Sequence, residues 1–193
     1  MASLLWSTQT VVTETPLPAS ATLKSALALL HDHALFQAQQ PLALSNSPIP
    51  APSKESFLAT KALSFCSPDK VPEYRSVTID VPLGVFGAST TIVTHSAFVD
   101  TDDGMYVVFQ APMSLNGWSK WSVVEAEGEG EGAGGARKGL RIREESNLTG
   151  LRFLMPFVVG TEKESHKEFQ RNFAKRLEST GSEGGNGGGS NGT

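Results

Sequence analysis

The chain has 193 residues, enough for one domain, with 39% hydrophobic residues, 19% charged residues and a net charge of −4. No basic cluster is long enough to track a phosphate backbone, which argues against a nucleic-acid partner, and no apolar run approaches the ~20 residues of a membrane helix. Cys66 is the only cysteine and the start from Met1 to Ser7 lacks a basic segment, so neither an internal disulfide nor a secretory signal is read, and the cytoplasm is the expected compartment.

Residues 1–7 form an extension. Thr8 to Thr15 is rich in β-branched residues and predicts a strand, which Pro16-Leu17-Pro18 stops. Ser20 is placed to cap a helix, with Leu23, Leu27, Leu30 and Ala34 on one face, and Pro41 ends the helical stretch. Between 42 and 72 Pro48, Pro50 and Pro52 keep the chain extended or turning, and the run Ser56 to Phe65 is too short to choose between strand and helix.

A block of strands follows. In 74–82 Val77, Ile79 and Val81 share a face, and 88–99 is dense in Thr, Ile, Val and Phe. Asp102-Asp103-Gly104 marks a hairpin in which Gly104 is expected to supply a positive φ, and 105–111 is the return strand. Asn116-Gly117 marks another turn, and strands are expected over Trp118–Glu125 and Leu140–Leu148. The Glu/Gly segment 125–139 between them is expected to be a flexible loop, and the Gly-rich tail 181–193 to be disordered; the tracts 128–139 and 181–193 hold thirteen of the 19 glycines. Thr161 and Glu164 fit a capping box for a terminal helix with Phe169, Phe173 and Leu177 in line, while Leu151 to Val159 is either a kinked first part or a separate turn. Strands in a block, rather than alternating with helices, predict an α+β domain over 8–180 with an antiparallel sheet.

This order resembles the helix-grip fold of the START-like, birch-pollen-allergen-like and polyketide-cyclase-like superfamily. The chain is similar to a family of fungal proteins in that superfamily with a domain of unassigned function. The residues carrying the resemblance are Thr15-Pro16-Leu17-Pro18, Leu30-His31-Asp32-His33, Asp103-Gly104 with Ala111-Pro112, Leu140-Arg141-Ile142-Arg143-Glu144-Glu145 and Leu154-Met155-Pro156-Phe157-Val158. The resemblance implies a curved sheet around a long C-terminal helix, a short helical pair after the first strand, and a cavity between sheet and helix. It brings no established catalytic residues, and 49–72 and the Glu/Gly loop are longer than the family pattern.

Several residues stand out chemically. His31-Asp32-His33 has the look of a metal fragment, but zinc wants three or four ligands and no further cluster supplies them; Asp32 capping a short helix is the alternative. No metal or cofactor is expected. Alternation puts Glu144 on the face of Leu140 and Ile142, where desolvation would suit it to acid–base work; the alternative is that the strand leaves the core there or an arginine screens it. His95 is a second acid–base candidate on a strand whose two faces are both mixed. Trp118 and Trp121 must face opposite sides. No G-x-S-x-G nucleophile motif occurs, and the Gly tract is interleaved with Glu and would repel phosphate.

Two functions follow. The first is binding of a hydrophobic small molecule, such as a lipid, sterol or polyketide-like metabolite, in a cavity walled by Val107, Phe109, Trp121, Ile142, Phe153 and Phe157. The second is a cyclase, dehydratase or isomerase using Glu144 or His95 in the same cavity. A filled cavity would leave a non-catalytic interaction protein. A monomer or weak dimer is expected.

Overall fold

The computed structural model describes residues 5–82, 88–126 and 139–183, the last four by backbone alone. Most of the Glu/Gly loop and of the tail, with the flexibility expected of them, lie outside the described residues.

The elements are β1 (Trp6–Pro16), α1 (Leu23–Leu30), α2 (His33–Ala38), β2 (Ala43–Pro48), α3 (Phe57–Leu63), β3 (Glu73–Pro82), β4 (Ser89–Asp100), β5 (Gly104–Gln110), β6 (Asn116–Glu125), β7 (Leu140–Leu151) and α4 (Met155–Glu183). The seven strands form one antiparallel sheet in the order β1-β7-β6-β5-β4-β3-β2. The fold is α+β: a curved sheet packed against a long C-terminal helix, with the helical pair α1–α2 after the first strand.

The helical stretch after β1 breaks where its sequence offers a cap. Asp32 accepts from the backbone N–H of Leu35 and starts α2, so His31 closes one helix and His33 opens the next. The cap of α1 is Thr22, in a reciprocal capping box with Ser25, rather than Ser20. Ser56 caps α3, which settles the ambiguous 56–65 run as helix.

Gly104 has the positive φ expected of it at the hairpin (159°), but close packing also fixes it, whereas Gly117 lies in a strand and not in the turn expected there. Gly104 begins β5, and a Cβ there would sit 1.9 Å from the carbonyl oxygen of Trp121, so close backbone approach demands glycine. Gly117 is likewise a strand residue, where a Cβ would lie 2.2 Å from the carbonyl oxygen of Asn147. The β5–β6 turn is instead at Met113-Ser114, both at left-handed φ (58° and 57°), closed by the Leu115 N–H on the Pro112 carbonyl at 3.3 Å.

The terminal helix begins at Met155, not Thr161. Pro156 falls in its first turn, where a backbone N–H has no helical acceptor, so the proline does not break it. Gly160 and Thr161 are therefore interior.

The main core lies between the concave face of the sheet, α1–α2 and the C-terminal half of α4. Leu30, Phe36, Phe98, Met105, Trp121, Ile142, Phe169 and Phe173 are each at most 2% exposed. Each such large side chain contributes about 1.5–3 kcal/mol by burial. A second core fills the convex side, where α3 places Leu58 and Ala62 over Tyr74, Ala97, Val99 and Val108. Trp118 joins Phe65 and Tyr106 there, while Trp121 points into the main core.

Candidate functional site

The alternation of β7 turns Ile142, Glu144, Ser146 and Leu148 inward, all at most 1% exposed. A carboxylate at such a position needs partners, and three elements supply them. Ser146 Oγ donates to Glu144 Oε1 at 2.7 Å, and Thr13 Oγ1 of β1 donates to Oε2 at 3.1 Å. From α4, His166 Nδ1 lies 2.7 Å from Oε1. Behind them, Gln170 Nε2 donates to Thr13 Oγ1 and Thr15 Oγ1 donates to Gln170 Oε1, both at 2.7 Å. The network stitches β1, β7 and α4 together.

Glu162 completes the group one turn before His166, with Oε1 3.7 Å from His166 Nδ1. Its Oε2 is buried without a hydrogen-bond partner. Burial, helped by the charge of Glu144, lifts the Glu162 carboxyl to about 7 against the opposing pull of His166. For His166, burial acts to lower the pKa, but the Glu144 carboxylate and its hydrogen bond, aided by Glu162, raise it to about 9. At neutral pH the imidazole is a cation held against the Glu144 carboxylate, while Glu162 is midway through its own ionisation and becomes the second carboxylate above about pH 7.

These groups stand at the inner end of a cavity of about 520 Å³ between the sheet and the N-terminal half of α4. Its walls are mostly apolar and include Val77, Ile79, Ile92, Val107, Phe109 and Trp121; Ser96, Ser119, Thr161 and Ser165 add hydroxyls. Phe157 and Met113 also line it while 43% and 65% exposed, which places them at its open end.

A family model, "Domain of unknown function (DUF7053)", matches residues 6–179. The chain belongs to this family. No curated protein matches the chain. Among solved structures, this DUF7053 domain is similar to the Zhui aromatase/cyclase from Streptomyces sp. R1128, with 8% identity, TM-score 0.57 and coverage of 89% of this chain and 94% of that one. It is also similar to TTHA0849 from Thermus thermophilus, with 13% identity, TM-score 0.53 and coverage of 89% and 99%. The di-domain ARO/CYC BexL from the BE-7585A biosynthetic pathway matches with 10% identity, TM-score 0.54 and coverage of 89% and 50%. At these identities the likeness shows the fold alone, a helix grip. No described helix is long and apolar enough to cross a membrane.

In the DUF7053 domain, Val107, Phe109, Trp121 and Phe157 line the cavity. Ile142 is fully buried in the main core beside it. Phe153 precedes α4, is 76% exposed and is not among the lining residues. Glu144 sits behind the lining, presented to the cavity through His166. His95 is exposed on the opposite face of β4 from the cavity-lining Thr94 and Ser96, so the structure does not bring it to Glu144. His33 bridges instead: Nδ1 is 2.8 Å from Glu73 Oε2, Nε2 is 3.0 Å from Asp100 Oδ1, and the ring stacks on Phe98.

His166, Glu162 and Gln170 were not singled out by sequence. The signal was the helical stripe 162, 166, 169, 173, 177, in which Glu162 and His166 continue the face of Phe169, Phe173 and Leu177. Among the described residues, Glu144, Glu162 and His166 alone bring three metal-ligating atoms within 4.8 Å of one another, but the His166 Nδ1 that would bind is engaged with Glu144.

Proposed function

We propose that this protein binds a hydrophobic small molecule, of the size of a lipid, sterol or polyketide-like metabolite, between its sheet and α4. The observation that carries this reading is the cavity itself: about 520 Å³, apolar along its length and polar at its inner end. That volume lies within the ~300–1,000 Å³ usual for ligand sites. Native mass spectrometry of the purified protein tests it, with an added mass of intact lipophilic ligand as the expected result. Saturable Nile red binding is the second expected readout. A protein that carries no ligand and leaves Nile red in water refutes the reading.

The acid–base group favours a second function in the same cavity. Between about pH 7 and pH 9, Glu162 is a carboxylate and His166 an imidazolium, with pKa values of about 7 and about 9. Glu162 is then fit to take a proton from the carbon beside a ligand ketone while the second N–H of His166 gives one to the ketone oxygen, leaving an enol. Such a step underlies cyclisation and isomerisation, in line with the fold shared with aromatase/cyclases. Deuterium exchange into a long-chain methyl ketone, followed by NMR, tests it. Glu162→Gln is expected to abolish exchange while Nile red affinity persists; exchange at the parent rate in that variant overturns this reading.

A further inference from the structure

We infer that the cavity selects a ligand whose polar end is uncharged and offers a hydroxyl hydrogen, seated on the Glu162 carboxylate, and that it rejects carboxylates. The inference rests on the ligand-binding reading and refines it. Among the described lining residues no Lys or Arg occurs, and the ionisable ones are Glu162 and His166. The single cation is already committed, because His166 Nδ1 faces Glu144 at 2.7 Å and Glu162 at 3.7 Å. An incoming carboxylate would be a third anion against one imidazolium in a poorly solvated pocket, where like charges repel most strongly.

The orphaned oxygen supplies the attractive half of the argument. Glu162 Oε2 is buried and accepts no hydrogen bond, because the Ser146 hydroxyl beside Glu162 spends its single hydrogen on Glu144 Oε1 at 2.7 Å. Buried acceptors of this kind carry a penalty until a donor arrives. An alcohol or phenol supplies one hydrogen to the Glu162 carboxylate without taking an ion out of water, the desolvation cost that sets an ammonium donor behind it. Repulsion from Glu162 and Glu144 together with the unmet acceptor gives discrimination in both directions.

Displacement of Nile red at pH 8 by decanol below its solubility limit, and by decanoate and decylammonium below their micelle concentrations, tests the inference. Decanol is expected to bind at least about tenfold more tightly than decanoate, a gap of ~1.4 kcal/mol, and more tightly than decylammonium. Glu162→Gln, with its fold checked by circular dichroism, is expected to close most of the decanol–decanoate gap. Decanoate binding as tightly as decanol overturns the inference, as does an unchanged gap in Glu162→Gln. Preferential binding of decylammonium also overturns it and assigns the site to a cation. In each of these cases Nile red still binds, so the cavity reading stands; Nile red that never binds removes both.

Discussion

His166 and Glu144 face each other at 2.7 Å across the seam between α4 and β7, and together they form a buried ion pair whose carboxylate is 1% exposed. Breaking one side of such a pair leaves an uncompensated buried charge. His166→Ala is therefore expected to cost about 3 kcal/mol in urea unfolding. Adding Glu144→Gln to it should recover part of that loss, because the buried charge is gone, the amide oxygen still accepts from one of the two hydroxyls of Thr13 and Ser146, and the other hydroxyl oxygen can accept from the amide N–H. A single His166→Ala variant within about 0.5 kcal/mol of the parent contradicts the pairing.

Stability should fall as pH rises. An unfolded Glu162 carboxyl titrates at 4.5 and the folded one at about 7, so between them the folded chain holds a proton that the unfolded chain has lost. His166 goes from 6.5 unfolded to about 9 folded, and its contribution is complete below 6.5 and lost through 9. Both drive stability down with increasing pH, together on the order of 5 kcal/mol from pH 5 to pH 9. Thermal melts check the slope. Glu162→Gln should flatten it below pH 7 and leave the fall above; a melting temperature that climbs from pH 5 to pH 9 refutes the assignment.

Filling the cavity separates binding from folding. Thr94 lines it from β4, and Thr94→Phe adds an aromatic ring to a wall already apolar. Nile red affinity is expected to drop at least about tenfold, with little change in melting temperature. Retained affinity would place the probe elsewhere.

Three glycines give opposite expectations. Gly104→Ala and Gly117→Ala drive a methyl into the carbonyl oxygens of Trp121 and Asn147 and should each cost about 2–3 kcal/mol. A Cβ on Gly160 meets nothing within 4 Å, and Gly160→Ala should add about 1 kcal/mol of helix stability. Chemical denaturation of the three variants gives the signs directly, and a destabilised Gly160→Ala would mean that α4 needs its glycine.

The strand block was legible because period-two patterns persist where one face is buried, as with Val77, Ile79 and Val81. β2 was not, since Ala43–Pro48 is a mostly exposed edge strand with little apolar signal. At α4, Gly160 and Thr161 imitate a helix start, so Glu162 reads as a first-turn residue beside the cap, while His166 lies on the stripe of Phe169 and Phe173 with nothing local to announce its partner. Alternation marked Glu144 as inward, but its partner comes from another element and no local pattern announces it. His95 lay on a strand with β-branched residues on both faces, so its side was undecidable from sequence. The orphaned Glu162 oxygen is a property of packing alone.

The unbroken course of α4 also makes it a ruler. Phe157 stands at the open end and His166 at the inner end of one rod rising ~1.5 Å per residue, which separates them by roughly 13 Å. A molecule much shorter than that can sink out of reach of water, whereas a longer chain must leave its far end protruding past Phe157 and Met113. Chain length, read as the point at which a tethered bulky tag stops blocking entry, is thus set by the spacing of two residues on a single helix.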